Sequence, residues 1–217
     1  MLHSKSIVCG ELEENCYIVW LEGSKDAIVF DPGDEPEKIQ AELDAHGLTI
    51  AAFIQTHCHG DHIAALTPLK GAYPEALLYC PEAEAEWLAK PTLNLSYFYG
   101  HSVTAPPPDQ LVRDDDMLRA AGLELRAIHV PGHSPGGTAY FIEAQGKAGS
   151  PPHLYCGDIL FAGSIGRTDL PGGEGETMLI SGIREKLFIL PDETVVCPGH
   201  GPETTIGQEK ETNPYCR

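Results

Sequence analysis

Basic residues are in short supply: 14 Lys and Arg stand against 32 Asp and Glu in 217 residues, for a formal charge of −18. Polyanions are bound by clustered Lys and Arg, so this balance excludes nucleic acid as the expected partner. Long apolar runs are also missing. None approaches the ~20 residues that cross a bilayer. Met1-Leu2-His3-Ser4-Lys5 leads into neither the apolar core nor the small-residue cleavage site of a secretory signal. A soluble cytoplasmic protein with no membrane partner is expected. Cysteine occurs, but not as a disulfide framework: Cys9, Cys16, Cys58, Cys80, Cys156, Cys197 and Cys216 are odd in number and widely scattered. They read as free buried thiols.

What is present points to a globular chain. Hydrophobic residues make up 42% of the sequence, too many for an acidic disordered segment. The length is that of one domain, expected over residues 1–217. Short β-type runs at 16–20 and 27–30 flank the turn chemistry of Glu22-Gly23-Ser24-Lys25-Asp26 and predict a hairpin. Pro36 opens a helical pattern through Ile39, Leu43 and Ala45 that Gly47 closes. Residues 49–55 read as a buried strand, and 63–69, 76–80 and 82–89 as a helix, a strand and a short acidic helix. The alternation breaks at 91–116, which reads as a long surface excursion. Strand patterning resumes at 123–130, 138–142 and 153–156, followed by a helical stripe at 177–190, a strand at 194–197 and a short helix at 205–212. Hairpins and βα units in both halves predict an α/β (α+β) protein with two sheets covered by outer helices.

The chemistry lies in the histidines. Ten of them in 217 residues would put fewer than one in an average window of six, yet His57-Cys58-His59-Gly60-Asp61-His62 holds three and a carboxylate. On an extended segment His57 and His59 point to the same side, while Asp61 and His62 fall where the next helix begins and face a neighbouring point. Imidazole and carboxylate are ordinary Zn ligands, and a catalytic site leaves a position open for water or substrate. Three later positions share a setting of strand end plus glycine: His133 in Pro131-Gly132-His133-Ser134-Pro135-Gly136, Asp158 in Cys156-Gly157-Asp158, and His200 in Pro198-Gly199-His200-Gly201. Singly each reads as a turn residue. Together they complete a count, since two metals sharing ligands need about six or seven protein groups. A carboxylate can bridge two cations, and a water between them loses a proton readily.

These residues resemble the metallo-β-lactamase superfamily, whose H-x-H-x-D-H signature is matched by His57, His59, Asp61 and His62, with later His, Asp and His in order. Within it the chain is most similar to the glyoxalase II (hydroxyacylglutathione hydrolase) branch, through Gly157-Asp158-Ile159-Leu160-Phe161, Ser164-Ile165-Gly166-Arg167-Thr168-Asp169 and Thr204-Thr205-Ile206-Gly207. The resemblance implies a four-layer αβ/βα sandwich with metals at one edge of two facing sheets. It implies that His57, His59 and His133 hold one metal, that Asp61, His62 and His200 hold the other, and that Asp158 bridges. The implied cofactors are two divalent ions, Zn first, with Fe or Mn equally accommodated by these ligand types. The implied reaction is hydrolysis of a small-molecule thioester, a glutathione conjugate such as S-lactoylglutathione, with Asp61 orienting the attacking oxygen. The sequence stops soon after His200, without the C-terminal helical region by which glyoxalase II grips glutathione.

Other residues carry two readings. Leu93, Tyr97, Phe98 and Tyr99 either wall the substrate pocket or anchor their loop on the core. Cys58, between two ligands, should point away and pack or support them. Arg167 and Asp169 form an ion pair that steadies the loop after Asp158, or decorate a turn. Asp31 in Phe30-Asp31-Pro32-Gly33 resembles a family turn that supports the metal loops, but reads first as a turn residue. His3, His46, His101, His129 and His153 are surplus to the ligand count. The rival function is that of the persulfide dioxygenases, with one Fe(II) on His57, His133 and Asp158. A non-catalytic metal-stabilised module is the third reading. A β-lactamase is set aside because no export signal is seen.

Overall fold

A computed structural model describes residues 1–144 and 150–217. Six strands follow one another across the first sheet: β1 (Leu2–Cys9), β2 (Glu14–Leu21), β3 (Asp26–Phe30), β4 (Thr49–Ile54), β5 (Leu77–Pro81) and β6 (Gln110–Val112). The first three are antiparallel neighbours, and β3 to β6 run parallel. Helix α1 (Pro36–His46) crosses from β3 to β4, and α2 (Gly60–Ile63) with α3 (Leu66–Ala72) crosses from β4 to β5. The second sheet is built from β7 (Met117–Ala120), β8 (Leu123–His129), β9 (Thr138–Ile142) and β10 (His153–Gly157). After the small hairpin of β11 (Leu160–Phe161) and β12 (Ser164–Ile165) come helix α4 (Glu176–Gly182), β13 (Val195–Pro198), β14 (Thr204–Thr205) and helix α5 (Ile206–Thr212). Its strand order is β14-β13-β10-β9-β8-β7.

Side-chain alternation explains why both sheets are covered on both faces. In β2, Tyr17 and Val19 point inward while Cys16 and Ile18 point outward; in β3, Ile28 and Phe30 oppose Ala27 and Val29. In β9, Tyr140 and Ile142 point inward against Ala139 and Phe141. Strands apolar on both faces have no side to give to water, so each sheet needs a partner layer on either side. The inner faces meet each other: Phe30 stacks on Tyr155 with ring centroids 4.3 Å apart. The Tyr140 hydroxyl donates to the Gln55 carbonyl at 2.9 Å. Outside the first sheet lie Ile39 and Leu43 of α1 and Leu66 and Leu69 of α3. Outside the second lie Leu179 of α4 and Ile206 of α5. The layers are therefore helix, sheet, sheet, helix.

Several elements differ from expectation for local reasons. Strand β1 is an edge strand with little apolar periodicity. The helix expected at 63–69 is two pieces, α2 and α3, broken at Ala64 and Ala65. The short acidic helix expected at 82–89 is a 3₁₀ helix, Glu82–Ala89, that buries Glu84, Trp87 and Leu88. The stretch at 91–116 is not a free excursion: β6 completes the first sheet, and the buried Asn94 amide donates to the carbonyls of Trp87 and Val103 at 3.0 Å each. All seven cysteines are free and buried. Among the described residues no helix is long and apolar enough to cross a membrane.

Candidate metal centre

The seven residues singled out from spacing leave their sheets at one edge. His57 and His59 follow β4 as extended chain, and Asp61 and His62 sit in the first turn of α2. His133 lies in the loop after β8, Asp158 follows β10, and His200 follows β13. Open α/β sheets bind ligands beyond the carboxyl ends of their strands, where loops from several strands converge. Close approach there demands glycine. A Cβ on Gly199 would lie 2.3 Å from Asp158 Oδ1 and 2.7 Å from His62 Cε1. Gly157, at φ +47°, would bring a Cβ to 2.0 Å from Thr56 Oγ1.

The ligand atoms fall into two groups. Those of His57, His59 and His133 lie within 4.8 Å of one another, as do those of Asp61, His62 and His200. Asp158 stands between the groups. Its Oδ1 is 3.5 Å from His62 Nε2, and its Oδ2 is 3.6 Å from His133 Nε2 and 3.7 Å from His200 Nε2. Asp61 Oδ2 lies 3.4 Å from His200 Nε2 and 3.8 Å from His62 Nε2.

The far side of each ring fixes its tautomer. His133 Nδ1 donates to the Arg167 carbonyl at 2.7 Å, and His200 Nδ1 donates to the Leu12 carbonyl at 2.9 Å. His62 Nδ1 donates to Asp31 Oδ2 at 3.1 Å. Thr56 Oγ1 gives its proton to Asp31 Oδ2 at 2.6 Å and so accepts from His57 Nδ1 at 3.1 Å. Because carbonyls and carboxylates only accept, and the Thr56 hydroxyl has spent its proton on Asp31, all four rings carry a proton on Nδ1 and turn Nε2 inward. His59 is reversed, with Nδ1 facing His133 Nε2 at 3.0 Å.

This set fits divalent cations. His57 Nε2 and Asp158 Oδ1 are buried without a hydrogen-bond partner among the described residues, and burying acceptors unpaired is costly unless something positive meets them. The electrostatics agree. Burial pushes the His57 imidazole well below its ordinary pKa, and burial with His133 alongside pushes His59 down to about 3, so both favour the neutral form that ligates. Burial opposes charge on His62 too, yet Asp61, Asp158 and Asp31 drive it up to about 10. In the metal-free chain a proton answers that carboxylate excess, and a cation replaces it.

Sequence reasoning missed several supports. Asp31 is buried, with φ +43°, and its Oδ1 also accepts from the Thr56 backbone N–H at 2.7 Å; the preferred turn reading of this residue gives way to a structural anchor for His62 and Thr56. Glu84 is buried beside the His57–His59 loop. The carbonyls of Leu12 and Arg167 have no sequence signal, because any residue supplies a backbone oxygen. Cys58 faces away from the ligand groups, its Sγ 3.3 Å from Cys80 Sγ. Of the four pocket candidates, Tyr99 lines a cleft of about 360 Å³ beside Asp61, together with Leu12, Asp34, Ser96 and His101. Leu93 packs on the outer core of the first sheet, and Tyr97 and Phe98 stand exposed, ring against ring. The Arg167 and Asp169 side chains do pair, at 2.9 and 3.0 Å, in open solvent. Since it is the Arg167 carbonyl that holds His133, Asp169→Ala is expected to leave metal content and the melting temperature essentially unchanged, because solvent screens so exposed a pair. Elemental analysis and thermal denaturation check this, and loss of metal would show that the ion pair holds the loop.

A family model described as the metallo-beta-lactamase superfamily matches residues 9–200. The chain belongs to the metallo-beta-lactamase superfamily. Membership makes it a metal-dependent hydrolase built as an αβ/βα sandwich. Among its superfamily relatives, "Probable metallo-hydrolase YqgX" of Bacillus subtilis (strain 168) is 40% identical over 207 residues, 95% of this chain and 93% of that protein. "Hydroxyacylglutathione hydrolase GloC" of Haemophilus influenzae is 35% identical over 204 residues, 94% of this chain and 92% of that one. Two solved structures are also similar. The BLEG-1 B3 metallo-beta-lactamase superposes with a TM-score of 0.91 at 37% identity, covering 99% of each chain. TTHA1623 in a di-iron-bound form superposes with a TM-score of 0.82 at 35% identity, covering 97% of this chain and 99% of that one.

Proposed function

We propose that the protein is a binuclear metal-dependent hydrolase of thioesters, with a hydroxyacylglutathione such as S-lactoylglutathione as substrate. The observation that carries the binuclear part is the inward set of tautomer-fixed ligand atoms, split into two groups with Asp158 between them. His57, His59 and His133 would hold one ion, and Asp61, His62 and His200 the other. Bound there, divalent cations lower the pKa of water toward neutrality and polarise a carbonyl oxygen. The chain's own residues do the rest. Asp31, Thr56, Leu12 and Arg167 hold the Nδ1 proton of their imidazoles and fix each ring with Nε2 toward the ligand side. Asp61 lines the cleft and would orient the attacking oxygen there.

The thioester part is supported by likeness to GloC and by the chemistry of the leaving group. A thiol has a pKa of about 8.5, so a thiolate departs near neutrality without a general acid. An amide nitrogen requires one. The similarity to BLEG-1 supports a second reading, hydrolysis of β-lactams. The purified protein, with its metal content measured, should be assayed on S-lactoylglutathione, on a chromogenic cephalosporin, and on glutathione persulfide with an oxygen electrode. Thioester hydrolysis with about two ions per chain is expected. Cephalosporin turnover without thioesterase activity would establish the second reading. One iron per chain with oxygen consumption on the persulfide would overturn both.

A further inference from the structure

We infer that Glu84 is a positioning residue for the first ligand group, a clasp by which one carboxylate holds the loop carrying His57 and His59 to the loop carrying His133. Glu84 follows β5 and is fully buried. Its Oε2 accepts the backbone N–H of Cys58 at 2.6 Å, and its Oε1 accepts the backbone N–H of Gly136 at 2.6 Å. Cys58 lies between His57 and His59 in the chain, and Gly136 lies three residues beyond His133. The two loops leave different sheets, one from β4 and the other from β8, and the carboxylate bonds to both. Both bonds are short, and with an N–H on each oxygen they offset the cost of burying the carboxyl group. Gly136 fits the same purpose, because a Cβ there would lie 2.7 Å from Glu84 Cγ. The two loops meet again where the Thr138 N–H donates to the Thr56 carbonyl at 2.9 Å, but that bond lies on the sheet side of the ligands. Beside the ligands the loops also meet through His59 Nδ1 and His133 Nε2 at 3.0 Å, but those are ligand atoms that a metal would take, and Glu84 is the link that does not use them.

The inference rests on the proposed metal site, and one experiment separates the two. Cobalt(II) is titrated into the metal-depleted full-length protein, following the visible d–d absorption and the metal-to-chain ratio. Wild type, E84Q and E84D are compared, with E82Q as the control because Glu82 is exposed and pairs with Arg113. A glutamine offers one acceptor and sets its NH₂ against an N–H. An aspartate is one methylene too short to reach both loops. In each, one binding step is expected to weaken by about 10–100-fold, as losses of outer-sphere support do. The d–d bands of that step should change while the other step persists. Thermal melts of the metal-free proteins show whether any variant has simply unfolded. G136A, which pushes the clasp apart from the other side, is expected to reproduce the spectral change and carries the test if neither Glu84 variant folds. Wild-type spectrum and affinity in the folded variants would overturn the clasp. Failure of wild type itself to bind cobalt would overturn the metal site instead.

Discussion

Asp158→Ala is expected to lower thioester turnover roughly a thousandfold, equivalent to about 4 kcal/mol of barrier, and to reduce bound metal in the same preparation. The magnitude follows from position. Asp158 is the residue whose two oxygens face both groups, one toward His62 and the other toward His133 and His200. Removing it leaves five imidazoles with Asp61 as the one remaining carboxylate of the ligand set to offset two dications. The side chain is mostly buried, and a neutral water entering its place would not restore the negative charge. Loss of metal and loss of rate should move together, measured by elemental analysis and steady-state kinetics on one sample. Full activity in a mutant that has lost its metal would contradict the assignment.

Asp31→Ala carries the largest expected effect on stability. The carboxylate accepts from the Thr56 N–H at 2.7 Å, the Thr56 hydroxyl at 2.6 Å and His62 Nδ1 at 3.1 Å, all buried. Alanine leaves those donors unpaired in a site closed to solvent, at a cost of about 3–5 kcal/mol. It also places a residue without a helping side chain at φ +43°. For a chain of this length the melting temperature should fall by roughly 10 °C, measured on metal-free protein so that lost metal binding does not contribute. Metal affinity should fall by about 10–100-fold as well, because His62 and His57 lose the partners that orient them. A melting temperature within about 2 °C of wild type would mean that Asp31 is only the turn residue its neighbours Pro32 and Gly33 make it resemble.

What could be read from the sequence follows from how local each signal is. Strands whose two faces are both apolar, such as 27–30 and 138–142, announce themselves by composition. The ligand-rich segment from His57 to His62 announces itself by density. His133, Asp158 and His200 share only a setting, strand end plus glycine, and needed the count of ligands to stand out. Glu84 was hidden by its neighbours: among Glu82 and Glu86 it looks like one more charge on a solvated face, and only the packing of the 3₁₀ turn shows that it points inward. The Leu12 and Arg167 carbonyls were beyond reach, since backbone acceptors have no residue type. Tyr97 and Phe98 misled in the other direction, because an aromatic cluster reads as a wall or an anchor and here stands in solvent. His101, counted as surplus, lines the cleft.

The metal-to-chain ratio of the purified full-length protein, taken by elemental analysis after removal of loosely bound ions, bears most directly on the paired ligand groups. A ratio close to two divalent ions per chain, falling in Asp158→Ala, is the expected result. No bound metal, or a single ion that Asp158→Ala leaves in place, would contradict it.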